Sequence, residues 1–492
     1  MASIVVHGVS LELANGRTLF SNLNFSLDNR TTALVGPNGV GKTCLANVIA
    51  GELPPTDGAV RREVPTRLFA QRELPPTATV ATYLADQEWS LDAERLLRGI
   101  DRDRSCTALS GGQWMRVRLA RALNDDYLIL DEPTNDLDRD GRAAVAQLLR
   151  SRAGGTLVIS HDRECLQLCS EILELSNRGL MRFGGGWTEY LEAKRLERER
   201  LGAALDTARR ERDVARERRT EQIERQDKRN RRGAAAAARG DMPRLLAGGR
   251  KRRAQVTSGK LAVATLARAE ASVLAAHEAF DAIKVEPVMY ADLIAMQLPA
   301  QKLIAEARGF NVCFEEWIYD RDLEFSWRGN ARIALRGGNG SGKSTLLRAL
   351  RGEALRTRGS LRCGELATLY LDQRCSVLEE HKSVFDNVRA VYEGTDSDIR
   401  NGLARFLFTG DTVFQRVDQL SGGERLRAAL ARGFLGTRKP ELLMLDEPTN
   451  SLDLANVEFL EGFVSEFRGA LIVVSHDESF LQRCGVEGEV LV

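Results

Sequence analysis

Two nine-residue stretches of the chain are nearly identical. Leu130-Asp131-Glu132-Pro133-Thr134-Asn135-Asp136-Leu137-Asp138 returns as Leu445-Asp446-Glu447-Pro448-Thr449-Asn450-Ser451-Leu452-Asp453. Each follows an apolar run, Tyr127 to Leu130 and Leu442 to Leu445, and such a run bounded by charge reads as a fully buried strand. Two adjacent carboxylates at the end of a buried strand are costly unless chemistry uses them. Capping of the next helix is the plain alternative for Asp131 or Glu132. It loses force when the same pair recurs.

The first pair sits inside a longer ordered set. Upstream, Thr32-Ala33-Leu34-Val35 reads as a buried strand, and Gly36-Pro37-Asn38-Gly39-Val40-Gly41-Lys42-Thr43 follows in the GxxxxGK[ST] pattern of a phosphate-cradling loop. Glycines are needed because the backbone must curl until successive N–H groups face the anion. Lys42 adds a point charge, Thr43 offers a hydroxyl to Mg²⁺, and the following helix directs its N-terminus at the phosphates. An ordinary glycine-rich strand-to-helix turn is the bland reading of this pattern taken alone. Gln71 then ends a short apolar strand, and Leu109-Ser110-Gly111-Gly112-Gln113 opens a strongly periodic helix. Ser110 as N-cap with two free amides behind it makes a second anion site. A cap alone does not explain the double glycine. After Asp131 and Glu132, Leu157-Val158-Ile159 leads to Ser160-His161-Asp162.

The whole set then repeats. Ile333-Ala334-Leu335 precedes a loop with Gly337, Asn339, Gly340, Gly342, Lys343 and Ser344, and Gln373 follows Leu369-Tyr370-Leu371. Leu420-Ser421-Gly422-Gly423-Glu424 is the second copy of the glycine pair, and Asp446 and Glu447 precede Ser475-His476-Asp477. The offset between copies is 301 residues at the lysines and 315 at the carboxylates and the histidines. A whole domain has been duplicated.

Between the copies the composition changes. The formal net charge of +1 over 492 residues hides 22 Lys/Arg against 10 Asp/Glu in residues 194–260. One basic segment between two acidic lobes points to a polyanionic partner. From Tyr190 the sequence is charged and free of proline until Pro243, which predicts one helix to about Arg232. A second helix carries Ala262, Leu266, Ala269, Val273, Ala276, Phe280 and Ile283 at alternating steps of four and three, a coiled-coil seam. The two predict an antiparallel hairpin over 191–285. Its tip, residues 225–260, holds 12 Lys/Arg against Asp227 and Asp241. A solvated or disordered charge run is the bland reading. Arginine forks on an RNA backbone are the sharper one. With no aromatic residue from 191 to 279, base stacking is not expected.

No segment approaches the ~18 uninterrupted apolar residues of a membrane span, and the first residues lack the order of a signal peptide. The eight cysteines are scattered without a CxxC pair, so reduced thiols and a cytoplasmic location are expected.

The ordered motifs resemble the ATP-binding cassette (ABC) family. The resemblance implies an α/β chain of two P-loop ATP-binding cassette domains, residues 1–190 and 286–492, joined by the helical-hairpin linker 191–285. It also implies that two lobes close head-to-tail, with Lys42, Asp131, Glu132 and His161 facing Ser421 to Glu424. Lys343, Asp446, Glu447 and His476 would face Ser110 to Gln113. The implied cofactors are ATP and Mg²⁺, the latter held by Thr43 and Asp131 in one lobe and by Ser344 and Asp446 in the other. Glu132 and Glu447 would activate water, His161 and His476 would steady the γ-phosphate, and Gln71 and Gln373 would link nucleotide state to movement. The family usually stacks an aromatic on adenine near residues 11–14, where this chain reads Leu-Glu-Leu-Ala. In the second lobe Phe314 is either that aromatic or a core residue.

Tandem cassettes with a charged helical linker and no membrane domain are similar to the ABC-F subfamily. That resemblance implies a ribosome-bound translation factor whose linker nears ribosomal and transfer RNA, and some members protect ribosomes from antibiotics. No obligate oligomer is expected, since both cassettes share one chain. A transporter ATPase subunit would gain nothing from the basic hairpin. A coiled-coil DNA-repair ATPase would show longer coils or zinc-binding cysteines.

Overall fold

The computed structural model describes residues 3–69, 73–85, 91–123, 127–135, 137, 139–152, 154–238, 297–314, 316–338, 340–353, 355–450 and 452–492. Gln71, Asn339 and the second helix of the expected hairpin lie outside the described residues. The chain divides into two units, residues 1–190 with 287–492, and residues 191–286.

Among the described residues of the first lobe nine strands build two sheets: β1 (Ile4–Glu12), β2 (Thr18–Leu27), β3 (Thr31–Val35), β4 (Asp57–Arg62), β5 (Thr66–Phe69), β6 (Tyr127–Asp131), β7 (Gly155–Ile159), β8 (Glu171–Ser176) and β9 (Gly179–Gly184). The antiparallel sheet has the order β2-β1-β4 and the larger sheet the order β5-β6-β7-β3-β8-β9. From β5 to β8 the larger sheet is parallel, with β9 added antiparallel. Its central strands are aliphatic without alternation because both faces are covered. Parallel ladders align the carboxyl ends of neighbouring strands, the edge where ligands gather in such sheets. Here Asp131 pairs with Ile159, and Leu34 of β3 pairs with Ile159 from the other side. The loops after β3, β6 and β7 therefore leave the sheet side by side.

The second lobe repeats this plan with β10 (Leu303–Cys313), β11 (Leu323–Arg328), β12 (Arg332–Arg336), β13 (Arg356–Cys363), β14 (Thr368–Leu371), β15 (Leu442–Asp446), β16 (Ala470–Val474) and β17 (Gly488–Leu491). Its sheets run β11-β10-β13 and β14-β15-β16-β12-β17. The duplication reaches individual pairs. Val6 opposite Val60 in one lobe becomes Ala307 opposite Leu361 in the other.

A helix of 52 residues, Trp187–Ala238, follows the first lobe in sequence. It starts three residues before the expected position and runs six past Arg232. Alanine is the strongest helix former, so the run Ala234 to Ala238 propagates the helix through Gly233 instead of ending it. Among the described residues no helix is long and apolar enough to cross a membrane.

Candidate functional site

Each phosphate-type loop is curled by glycines that tolerate no side chain. Gly36 has φ +147°, and a Cβ there would stand 2.1 Å from the Leu175 carbonyl oxygen of β8. Gly337 has φ +156°, with the Val492 carbonyl oxygen 2.3 Å from the same point. Gly36→Ala is expected to lift the loop off the sheet and cost at least about 2 kcal/mol, read as a lower unfolding midpoint together with weakened nucleotide binding. Inside the curl, Lys42 Nζ donates to the carbonyls of Gly36 (2.7 Å) and Pro37 (3.2 Å). Lys343 Nζ does the same to Gly337 and Gly338, both at 2.8 Å.

Thr43 and Ser344 open the helices Lys42–Ala50 and Lys343–Leu350. Each hydroxyl bonds the carboxylate at the end of the neighbouring strand, Thr43 to Asp131 and Ser344 to Asp446. Burial pushes both carboxyls up, against these hydrogen bonds and the lysine charges. Tyr370 also donates to Asp446 Oδ2 at 3.2 Å.

Glu132 and Glu447 come next, with φ of +47° and +48°. Non-glycine residues pay strain in this region, and such strain collects at functional sites. It is held by the sheet: Glu132 N–H donates to the Ile159 carbonyl (2.8 Å) and Glu447 N–H to that of Val474 (2.9 Å). His161 Nε2 lies 3.6 Å from Glu132 Oε1, and His476 Nε2 lies 3.5 Å from Glu447 Oε1. Each histidine also gives its backbone N–H to that glutamate. Burial raises Glu132 well above the usual carboxylate range and lowers His161, while Glu447 is pushed up to about 7. The structure thus gathers Lys42, Thr43, Asp131, Glu132 and His161 in one lobe, and their five counterparts in the other.

The double-glycine motifs head the helices Gly111–Ala122 and Gly422–Leu435 with full capping boxes. Ser110 Oγ accepts from Gln113 N–H (3.2 Å), and Ser421 Oγ accepts from Glu424 N–H (3.3 Å). Gln113 and Glu424 side chains return the bond to the serine N–H, so the exchange of amide for carboxylate leaves the cap intact. Gln373 is exposed at the end of β14. Phe314 is 57 % exposed, which rules out the core alternative. By the strand register it matches Leu13 of the first lobe.

Sequence reasoning missed the residues that join the lobes. Asp453 caps the helix Leu454–Glu466 through Asn456 N–H (3.0 Å), and its other oxygen accepts the Asn38 N–H of the first phosphate loop at 3.1 Å. The signal was there, because Asp453 is the last residue of the repeated stretch. Arg163 bonds Glu461 with both guanidinium nitrogens, at 2.5 and 3.0 Å. A small cavity at this seam is lined by Glu132, Arg142 and His161 from one lobe and Thr449, Asn450 and Asp477 from the other.

These features fit a magnesium nucleotide. A hydroxyl beside a carboxylate offers hard oxygen donors, and a metal held partly by substrate phosphates needs no larger protein cage. Among the described residues no group of three or more His, Cys, Asp or Glu forms such a cage. Among the described residues both ring nitrogens of His161 are buried without a hydrogen-bond partner, which suits an anionic oxygen arriving there.

A family model described as ABC transporter matches residues 20–135 and again 321–450. The chain is 30 % identical to the ATP-binding protein Uup of Caulobacter vibrioides over 96 % of its own length and 75 % of the relative's. It is 27 % identical to the ribosome protection protein VmlR of Bacillus subtilis, covering 98 % of this chain and 85 % of that one. ABC transporter F family member 5 of Arabidopsis thaliana is 30 % identical over 78 % of this chain and 51 % of its own length. With two cassettes repeated down to single ladder pairs and these relatives, the chain belongs to the ATP-binding cassette family, in its ABC-F subfamily.

Proposed function

We propose that the chain hydrolyses ATP to ADP and phosphate at two composite sites and uses closure of its lobes to engage the ribosome through the linker. The observation that carries this reading is the bond from Asn38 N–H to Asp453, which seats one lobe's repeated acidic stretch on the other's phosphate loop. A phosphate loop alone leaves the γ-phosphate half exposed. A helix N-terminus from the opposite lobe, Ser421 to Glu424 or Ser110 to Gln113, completes the anion cage.

Within each site the residues divide the work by chemistry. Lys42 and Lys343 exchange loop carbonyls for phosphate oxygens. Thr43 with Asp131, and Ser344 with Asp446, would hold Mg²⁺, which supplies Lewis-acid neutralisation of the phosphate charge when bound. Glu132 and Glu447, with carboxyls raised toward neutrality by burial, take the proton of the attacking water. His161 and His476 donate to the γ-phosphate. Gln71 and Gln373 relay the nucleotide state, and Phe314 stacks on adenine in the second site.

The ribosome enters from two supports. VmlR is named for ribosome protection and aligns with nearly all of this chain. The linker carries the chain's basic surplus without aromatics, which suits a phosphate backbone read by charge and shape. Ribosome work places the protein in the cytoplasm. Sedimentation of the Glu132→Gln/Glu447→Gln chain through a sucrose cushion with 70S ribosomes tests the reading. ATP-dependent pelleting is expected. Free protein in the supernatant, with tight binding to duplex DNA instead, would replace the ribosome with DNA as the partner.

A further inference from the structure

The seam between the lobes is not symmetric. The helices Arg139–Ser151 and Leu454–Glu466 match at the 315-residue offset, which places Ala146 opposite Glu461 in the alignment of the two copies. The same offset matches Arg163 with Glu478. Glu478 is held inside its own lobe by Arg336 through two bonds of 2.7 Å. An alanine and an already paired glutamate cannot rebuild the Arg163–Glu461 bridge on the other side.

The bridge itself is built to be specific. The Arg163 and Glu461 side chains are 7 % and 5 % exposed, and the guanidinium meets the carboxylate as a two-pronged fork. Glu461 Oε2 also accepts from Arg483 of its own lobe at 3.0 Å, which fixes the carboxylate before Arg163 arrives. Arg163 opens the short helix capped by Asp162 and stands two residues after His161. The turn His161-Asp162-Arg163 is thereby tied to the opposite lobe at one end and to Glu132 at the other.

We infer that Glu461 is a positioning residue for the first nucleotide site, acting across the seam through Arg163 to hold the His161 turn, and that among the described residues this bridge has no copy at the second site. The inference rests on the two-site ATPase reading above. It makes the sites unequal by construction. In the first, alignment of the histidine depends on the seam being closed along the helix Leu454–Glu466. In the second, the matching positions, Glu478 and Ala146, form no such bridge among the described residues.

The test is steady-state ATP hydrolysis by the full chain, with Glu447→Gln isolating the first site and Glu132→Gln the second. Glu461→Gln is expected to lower first-site kcat about tenfold with little change in KM, the pattern of a group that matters in the transition state. Second-site kcat should stay within about twofold. A single change strands a buried charge and can unfold the protein, so Arg163→Met with Glu461→Leu is the companion variant. A buried pair replaced by apolar side chains usually keeps stability, and Arg483, 55 % exposed, stays solvated. The companion should reproduce the selective kcat loss. Equal losses at both sites, or none in the companion, would overturn the inference while leaving two-site hydrolysis standing. Parents that fail to turn over ATP would overturn both.

Discussion

Glu132→Gln combined with Glu447→Gln is expected to abolish turnover while strengthening ATP retention. Each glutamate sits beside its histidine, and its backbone N–H is held by the neighbouring strand. Glutamine keeps the volume and the strained backbone position but cannot take a proton. Loss of a general base removes about 10²- to 10⁴-fold in rate, and two such losses leave no intact site. The amide also removes a negative charge that would face the incoming γ-phosphate, so the closed nucleotide-bound form gains at both ends. Gel filtration after incubation with labelled ATP should return two nucleotides per chain in the double variant and none in the wild type. Hydrolysis at the wild-type rate would remove both glutamates from the mechanism.

Much of this site was legible before any coordinates, and the reason is local. A phosphate loop is a contiguous backbone feature, so Gly36 to Thr43 specifies its own curl. The same holds for Ser110 and Ser421, whose capping boxes need only the residue three positions on. The gathering of Asp131, Glu132 and His161 followed from strand ends, because parallel ladders put them on one edge. What could not be read were pairs far apart in sequence with no motif of their own. Arg163 and Glu461 are separated by 298 residues, and nothing in either neighbourhood announces the other. Asp453 was half legible: the repeat marks it, but only the seam turns a helix cap into a contact with Asn38. Phe314 needed its exposure to set the core reading aside, and the helix expected to end near Arg232 runs on through the alanines to Ala238. Tyr370, a donor to Asp446, looked like any strand tyrosine.

Replacing Arg225, Lys228, Arg231 and Arg232 together by glutamine is expected to weaken ribosome binding by roughly a hundredfold or more at moderate salt. These four lie on the C-terminal half of the 52-residue helix, which is about 78 Å long at 1.5 Å per residue. All four are exposed, and among the described residues Arg225 pairs with Glu221, four positions earlier, at 3.1 Å on the surface. A surface pair of this kind contributes at most about 1 kcal/mol, so the guanidinium can leave it for a phosphate. Arginine, lysine and glutamine have similar helix propensity, so the helix should persist, as circular dichroism can check. Each cation that meets a phosphate releases condensed counterions, and each lost contact flattens the plot of log affinity against log salt by somewhat under one unit. The quadruple variant should therefore differ from the parent by about three units of slope as well as in affinity. An affinity loss with no change in slope would mean that these side chains meet protein or their own helix, not RNA phosphate. An unchanged affinity would move the ribosome contact off this part of the linker.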